Sequence, residues 1–342
     1  MSERGLRQIV YGSAPSAGTR RRWWIALWGA WLGLSGVVVA GGEPDSAFPQ
    51  QYEFGMSLQS QGGACKNVTG TVTVPADWPN QQRVRIVKED LPLGATVTYK
   101  KIEDVGRQMV VHIASVPVGK EIRAVVTFEV QRLVSPPQPQ DTEHFTVPKR
   151  QKQTLLYLTP SPRIESDAPE VRVAAAMVVG GRQRAWDKVQ AIHEWVYQNI
   201  KFAGGLENTQ GVVETLSMRS GVCAEKNSLA VALLRAQGIP ARLVRIPGHC
   251  YYEVLLLDGA GHERWFSADA STSSTIVPSA ATRGMILQKG DSVPLFDPAT
   301  KRRTKGRFLA ETATGVPQSR GAGLRFQPIS PAIGAHPVVP RP

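Results

Sequence analysis

An α+β fold is what this sequence predicts, and three patterns carry the prediction. Between Val68 and Val130 apolar and polar residues alternate, the period of strands with one buried face. Between Asp167 and Ala236 apolar residues recur every three or four positions, the period of amphipathic helices. From Ala241 to Asp269 short apolar runs, separated by Pro247-Gly248 and Asp258-Gly259, return to strand spacing.

The elements follow in order. Arg20, Arg21 and Arg22 precede 18 uncharged residues, 23–40, which end in Val38-Val39-Ala40. A basic start, an apolar run and a small-residue end read as a secretory signal, or as an uncleaved membrane anchor at the lower limit of a spanning helix. Export to the periplasm, cell envelope or medium is therefore expected, with 1–42 as signal or anchor. Residues 43–66 are rich in Gly, Ser and Gln and read as a linker. In 67–134, Val68, Val72 and Val74 alternate with polar residues, as do Met109, Val111 and Ile113, and Ala124, Val126, Phe128 and Val130. Short strands separated by turn residues predict a β-sandwich accessory domain. Residues 135–165 read as a proline-rich connector with one strand at Thr154–Thr159.

Residues 166–289 hold the chemistry. Pro169 is a helix start, and Trp186, Val189, Ile192, Val196 and Ile200 form the core stripe of the next helix. Gly221 permits a tight turn, and a third helix runs from Cys223 to a stop at Gly238-Ile239-Pro240, with Leu229, Ala232, Leu233 and Ala236 as its stripe. Cys223 thus opens a helix, where unpaired N–H groups and the dipole favour a thiolate and can face an oxyanion. His249 opens a strand, and Asp269 ends the strand that returns from the Asp258 hairpin, so adjacent strands can set a carboxylate beside an imidazole. Alternation puts His249, Tyr251 and Glu253 on one strand face and Cys250 and Tyr252 on the other. Thiol, imidazole and carboxylate, in that order, are the equipment of thiol-dependent acyl transfer.

The run Gly221-Val222-Cys223, the segment ALLRAQGIPAR after it, the His249-x-Tyr251-x-Glu253 pattern, and Trp265 followed four residues later by Asp269 resemble the transglutaminase-like superfamily. The resemblance spans roughly Ser166 to Ser274. It implies a papain-like core of helices packed on an antiparallel sheet, with Cys223 as nucleophile, His249 as base and Asp269 as orienting acid. Three positions depart from the usual pattern: Tyr251 replaces Trp, Asp269-Ala270-Ser271 replaces Asp-x-Thr, and only 26 residues separate Cys223 from His249. Glu225, two after the cysteine, is similar to peptide N-glycanases, whose paired CxxC zinc ligands this chain lacks. Asn208, Gln210, Tyr251 and Glu253 are candidate substrate contacts, the first three also candidates for a second oxyanion donor.

The formal charge of +12 invites a nucleic-acid reading, but its distribution removes it. Residues 1–22 hold five Arg against one Glu, and 298–342 hold eight Lys and Arg against one Glu, which leaves the span between near +1. The Pro-, Gly- and Arg-rich span 290–342 reads as a basic disordered tail. Three cysteines are too few for a disulfide framework, although Cys65 and Cys250 are free to pair in an oxidising compartment. The six histidines show no metal-ligand spacing, and acyl transfer through a thiolate needs no cofactor. The expected function is that of an exported thiol enzyme acting on amide bonds of a peptide, protein or wall polymer. The alternative is a binding or assembly module that keeps the same fold without turnover.

Overall fold

The computed structural model describes residues 49–133, 142–203, 210–276, 282–297 and 302–331. The apolar segment 23–40, most of the proline-rich connector and Asn208 lie outside these. Among the described residues no helix is long and apolar enough to cross a membrane.

Six strands come first: β1 (Gln50–Gln61), β2 (Cys65–Val74), β3 (Gln82–Asp90), β4 (Thr96–Ile102), β5 (Gly106–Val116) and β6 (Glu121–Arg132). A central group follows: α1 (Lys152–Leu155), α2 (Pro169–Val179), α3 (Ala185–Asn199), β7 (Lys201–Phe202), α4 (Val212–Met218), β8 (Ser220–Gly221) and α5 (Cys223–Ala236). The chain then returns to strands: β9 (Ala241–Ile246), β10 (His249–Leu257), β11 (Glu263–Ala268), β12 (Gln288–Lys289), β13 (Val293–Asp297), β14 (Arg302–Gly306), β15 (Thr312–Pro317) and β16 (Gly323–Ile329). The class is α+β, as the periodicities predict.

The strands build two main sheets. One has the order β16-β1-β6-β3; the other runs β11-β10-β9-β12-β5-β2-β15, with β4 on β5. Phe54, Met56, Leu58, Val72, Met109, Val111, Val126 and Phe128 fill one core between the sheets. The alternating residues 68–130 therefore do face each other as in a sandwich. They do not form a separate preceding domain, because β12 pairs with both β5 and β9 and carries the larger sheet into the helical half. The described residues, which lie within 49–331, fall in one compact unit.

Three sequence expectations change with this. Within the span 43–66, expected as a linker, residues 50–61 form β1: Phe54, Met56 and Leu58 alternate and are fully buried, and the strand pairs with β6. The span 290–342 is not a disordered tail through Ile329: β15 adds to β2 and β16 adds to β1, so it covers the edges of both sheets. The strand expected at Thr154–Thr159 is a short helix and turns, because Thr154 Oγ1 accepts from Gln151 N–H (2.9 Å) and donates to its carbonyl (3.0 Å), which closes the chain locally.

The second core lies between helices and sheet. The stripe Trp186, Val189, Ile192, Val196 and Ile200 is buried, and it meets Leu229 to Leu234 of α5. The amphipathic reading of α5 is too narrow: every residue from Ala224 to Arg235 is buried, because α2, α3 and α4 flank it on one side and β9 and β10 on the other. Gly238, at φ 74°, ends it in the left-handed region where Gly carries no Cβ penalty.

The junction of the two halves holds a buried charge cluster. Glu253 on β10 is fully buried and receives Arg242 Nη2 at 2.7 Å and Lys289 Nζ at 2.8 Å. Burial raises its carboxyl, but the two cations outweigh that and hold it at about 2. Glu253→Gln should leave two buried cations without a counter-charge and cost about 3–5 kcal/mol of stability. Loss of the exposed Arg85–Glu129 pair should cost less than about 1 kcal/mol. Denaturant midpoints of the two variants measure the difference.

Candidate active site

Gly221 determines how α5 begins. A Cβ there would lie 2.6 Å from Cβ of Glu225, so only glycine fits. Glu225 in turn accepts the Val222 N–H at 3.1 Å, which satisfies one donor of the helix start. Cys223 is the first residue of the helix and is half-buried. Backbone N–H groups of a first turn have no partner within the helix, so they point beside the thiol toward any anion placed there.

The other two groups arrive on β10 and after β11. β10 pairs with β11 from Tyr252↔Ala268 to Leu257↔Glu263, which sets Asp269 just past the end of β11, beside the start of β10. His249 Nε2 lies 2.7 Å from Asp269 Oδ2. Cys223 and His249 line the same cavity, where thiol and imidazole shift each other's ionisation. Cys223, His249 and Asp269 are thus brought together.

Their electrostatics are mutual. Hydrogen bonding from the Cys250 thiol, then from His249, overrides burial and pulls the Cys223 thiol down to about 4. Burial depresses His249, but Asp269 and Cys223 outweigh it and raise the imidazole to about 9. Burial favours the neutral form of Asp269, while the His249 hydrogen bond and charge, Ser271 and Asn227 hold it at about 2. Between roughly pH 4 and 9 the pair is thiolate and imidazolium.

Cys250 corrects an expectation. It lines the same cavity as Cys223, and its interaction with that thiol, together with burial, pushes its own thiol well up, so it stays protonated. Alternation holds along β10 for Cys250 and Tyr252 on the helix side and Tyr251 on the other. Cys65 and Cys250 are not paired; each is a buried free thiol.

A cavity of about 360 Å³ opens on Cys223, His249 and Cys250, with Phe308, Leu309 and Glu311 as its far wall. The candidate substrate contacts fare unevenly. Tyr251 is fully buried beside Val244, Ile246 and Ile286, and Glu253 is committed to Arg242 and Lys289, so neither lines the cavity. Gln210 is buried with its amide nitrogen 3.2 Å from Met218 Sδ, also away from it. Asn208 lies outside the described residues.

Two contributors are not visible from motif spacing. Arg307 reaches back from the C-terminal segment to Ser228 Oγ (3.1 Å) and Glu225 (3.5 Å) under the first turns of α5. Asn227 is fully buried between the helix, β10 and Asp269. Asn227 sits in a polar first turn with Glu225, Lys226 and Ser228, and no sequence signal singles it out.

The transglutaminase-like superfamily model matches residues 172–270, which contain all three groups. The fold is transglutaminase-like and cysteine-protease-like. A candidate cysteine protease from Cytophaga hutchinsonii superposes with a TM-score of 0.52 at 20% identity, over 83% of this chain and 91% of that one. At 83% of this chain, that superposition takes in much of the strand-rich half. A candidate protease from Parabacteroides distasonis gives a TM-score of 0.28 at 10% identity, over 64% of this chain and 47% of that one. No curated protein matches the chain.

The lowered thiol makes a direct expectation. A depressed acid persists as its anion to lower pH, so alkylation of Cys223 by iodoacetamide should rise through about pH 4 and stay level to neutrality. An ordinary thiol would rise only near about 8.5. Rates read at Cys223 by peptide mass spectrometry across pH check this.

Proposed function

We propose that this protein is a thiol enzyme that cleaves or transfers the acyl group of amide bonds through Cys223, His249 and Asp269. What supports the reading is the imidazole of His249, held by Asp269 at 2.7 Å and lining the same cavity as the half-buried thiol of Cys223 at a helix N-terminus. The thiolate of Cys223 attacks the amide carbonyl, forming a C–S bond. The oxyanion faces the N–H groups of the first turn of α5, which stabilise it as charge develops. The imidazolium of His249 gives its proton to the leaving amine as the C–N bond breaks, leaving a thioester. His249 then takes a proton from water, or from a second amine, whose attack releases the acyl group and the thiolate. Asp269 keeps the ring oriented and its charge matched throughout.

A peptide, protein or wall-polymer amide fits an open cavity at the end of a strand. Cys223→Ala should fold and lose turnover. Asp269→Asn should fold and lose about 10²- to 10⁴-fold, since an amide cannot stabilise the imidazolium. Asp258, which caps the Ala260 and His262 N–H groups in the hairpin, is the control, and its Asn variant should retain nearly full activity. Release of amine from a peptide-amide panel, with and without an added primary amine, reads both hydrolysis and transfer. Near-normal turnover in Asp269→Asn would remove the carboxylate from the mechanism.

Export belongs to the same reading, on the basic and apolar pattern of residues 20–40. The mature chain should then begin near Gly41. Intact mass of protein recovered from the envelope fraction tests this, and a full-length chain released only by detergent would favour the anchor.

A further inference from the structure

We infer that Asn227 is the positioning residue of this site: its side-chain amide ties the helix of Cys223, the strand of His249 and the Asp269 carboxylate into one unit. The inference rests on the role proposed above for those three residues.

Asn227 is fully buried, and both ends of its amide are used. Nδ2 lies 3.0 Å from each of three acceptors: the carbonyl of Cys223, the carbonyl of Cys250 and Oδ1 of Asp269. Oδ1 of the amide accepts the backbone N–H of Ala270 at 3.0 Å. These partners also fix which way the amide points, because the flipped form would set an oxygen against three acceptors and an NH2 against an N–H. Two hydrogens serve three acceptors, so at least one bond is shared.

Each partner is a site residue or the next residue in sequence to one. Cys223 carries the thiol. The Cys250 carbonyl lies one residue beyond His249. Ala270 follows Asp269, so the amide grips the acid both at its carboxylate and at the peptide behind it. The two carboxylate oxygens are divided accordingly. Oδ1 takes Asn227, the Ser271 N–H at 3.0 Å and the Ser271 hydroxyl at 2.6 Å, while Oδ2 faces His249. With Oδ1 held by three donors the carboxylate cannot rotate, and Oδ2 stays in line with the ring. An asparagine whose only work was to fill space or satisfy backbone would have no reason to engage that carboxylate. Asn is also a poor choice for a helix interior on propensity alone, since its side chain competes for backbone partners.

The test uses the full chain with Asn227→Ala, which removes the amide, and Asn227→Asp, which keeps the shape but sets an acceptor oxygen in place of the NH2 that donates to Asp269. Both should lift the pH at which Cys223 alkylation half-rises by about one unit above about 4, so that near pH 4 the rate falls several-fold, because a loosened carboxylate supports less imidazolium and hence less thiolate. Where turnover is measured, kcat should fall by about tenfold or more with KM within about twofold, the split expected when ground-state binding is untouched. A folded Asn227→Ala protein that alkylates at the wild-type rate overturns the inference. If neither variant folds, the wild type decides. The Asn227 side-chain NH2 should exchange with solvent far more slowly than that of Asn199, on the exposed face of α3, and its NMR signals should move when Cys223 is alkylated. Exchange as fast as Asn199, or signals that stay in place, overturns it. The two readings fail separately: a wild-type Cys223 that alkylates like an ordinary thiol refutes the proposed function, whereas a reactive wild type matched by Asn227→Ala refutes only the role of Asn227.

Discussion

Burying α5 on every side is the constraint from which the rest of this structure follows. Residues Leu229 to Leu234 have no measurable exposure, so helices must cover one side and the sheet the other. Once the helix is enclosed, its axis and direction are fixed, and its N-terminus can meet only the end of β10. That brings Cys223 to His249 without a long loop, which makes a 26-residue interval sufficient. Enclosure also creates a demand. Polar residues at both ends of the helix are cut off from water and need partners, since an unpaired buried polar group is costly. At the N-terminal end Glu225 and Ser228 meet Arg307, and Asn227 meets Asp269. At the C-terminal end Arg235 meets Asp291 at 2.9 Å with both side chains buried. Asp291 and Arg307 come from beyond residue 290, so the C-terminal segment is part of what holds the helix.

Two buried clusters in this protein carry strongly displaced ionisation, and they serve different ends. At the junction, Glu253 is held low and Lys289 is pushed down to about 8 by burial, against the pull of Glu253. That cluster is closed and fully occupied with its own charges. At the site, a thiolate, an imidazolium and a carboxylate form a chain in which Cys223 and His249 line the cavity and Asp269 does not. The displaced pKa is therefore not what marks the site, since structural ion clusters displace pKa values equally well. Access of a nucleophile to space is what separates them. Cys250 fits this distinction: it is beside the cavity but protonated, so it can stabilise a neighbouring anion and cannot itself attack.

The parts legible in the sequence were those whose local pattern and final environment agree. The stripe from Trp186 to Ile200 reads as core because one helix face is core. Cys223, His249 and Asp269 stand out because glycines, prolines and turns bracket their elements. The misread parts are strands whose composition is polar. β1 carries Gln, Ser and Glu on its outer face, and that composition outweighed the period of Phe54, Met56 and Leu58. β16 likewise sets Leu324 and Phe326 toward the sandwich core and Arg325 and Gln327 outward. The alternation was present in both; the glycines, prolines and charges around it concealed that an open sheet edge was waiting for it. Cys250 and Asn227 were hidden for another reason. Their importance lies in contacts across 23 and 42 positions, which no spacing within one element can express.

The strand-rich half changes meaning when its connection is followed. As an independent sandwich it would be a spacer or a separate binding module. Here the joint is β12, only two residues long, and Gln288 within it is fully buried. Its amide donates to the carbonyls of Gly290 and Arg307, and its oxygen accepts from Leu309 N–H at 2.8 Å. Those bonds fix the segment that carries Arg307 to α5 and that forms the cavity wall at Phe308, Leu309 and Glu311. Glu311 is anchored further by Arg245 of β9 at 2.9 Å, and the chain then enters β15 on the edge of the sandwich. One wall of the cavity thus hangs between the two halves of the continuous sheet. A change in sandwich packing would move that wall relative to Cys223, so the strand-rich half acts on the site through the shape of the cleft rather than as an appended domain.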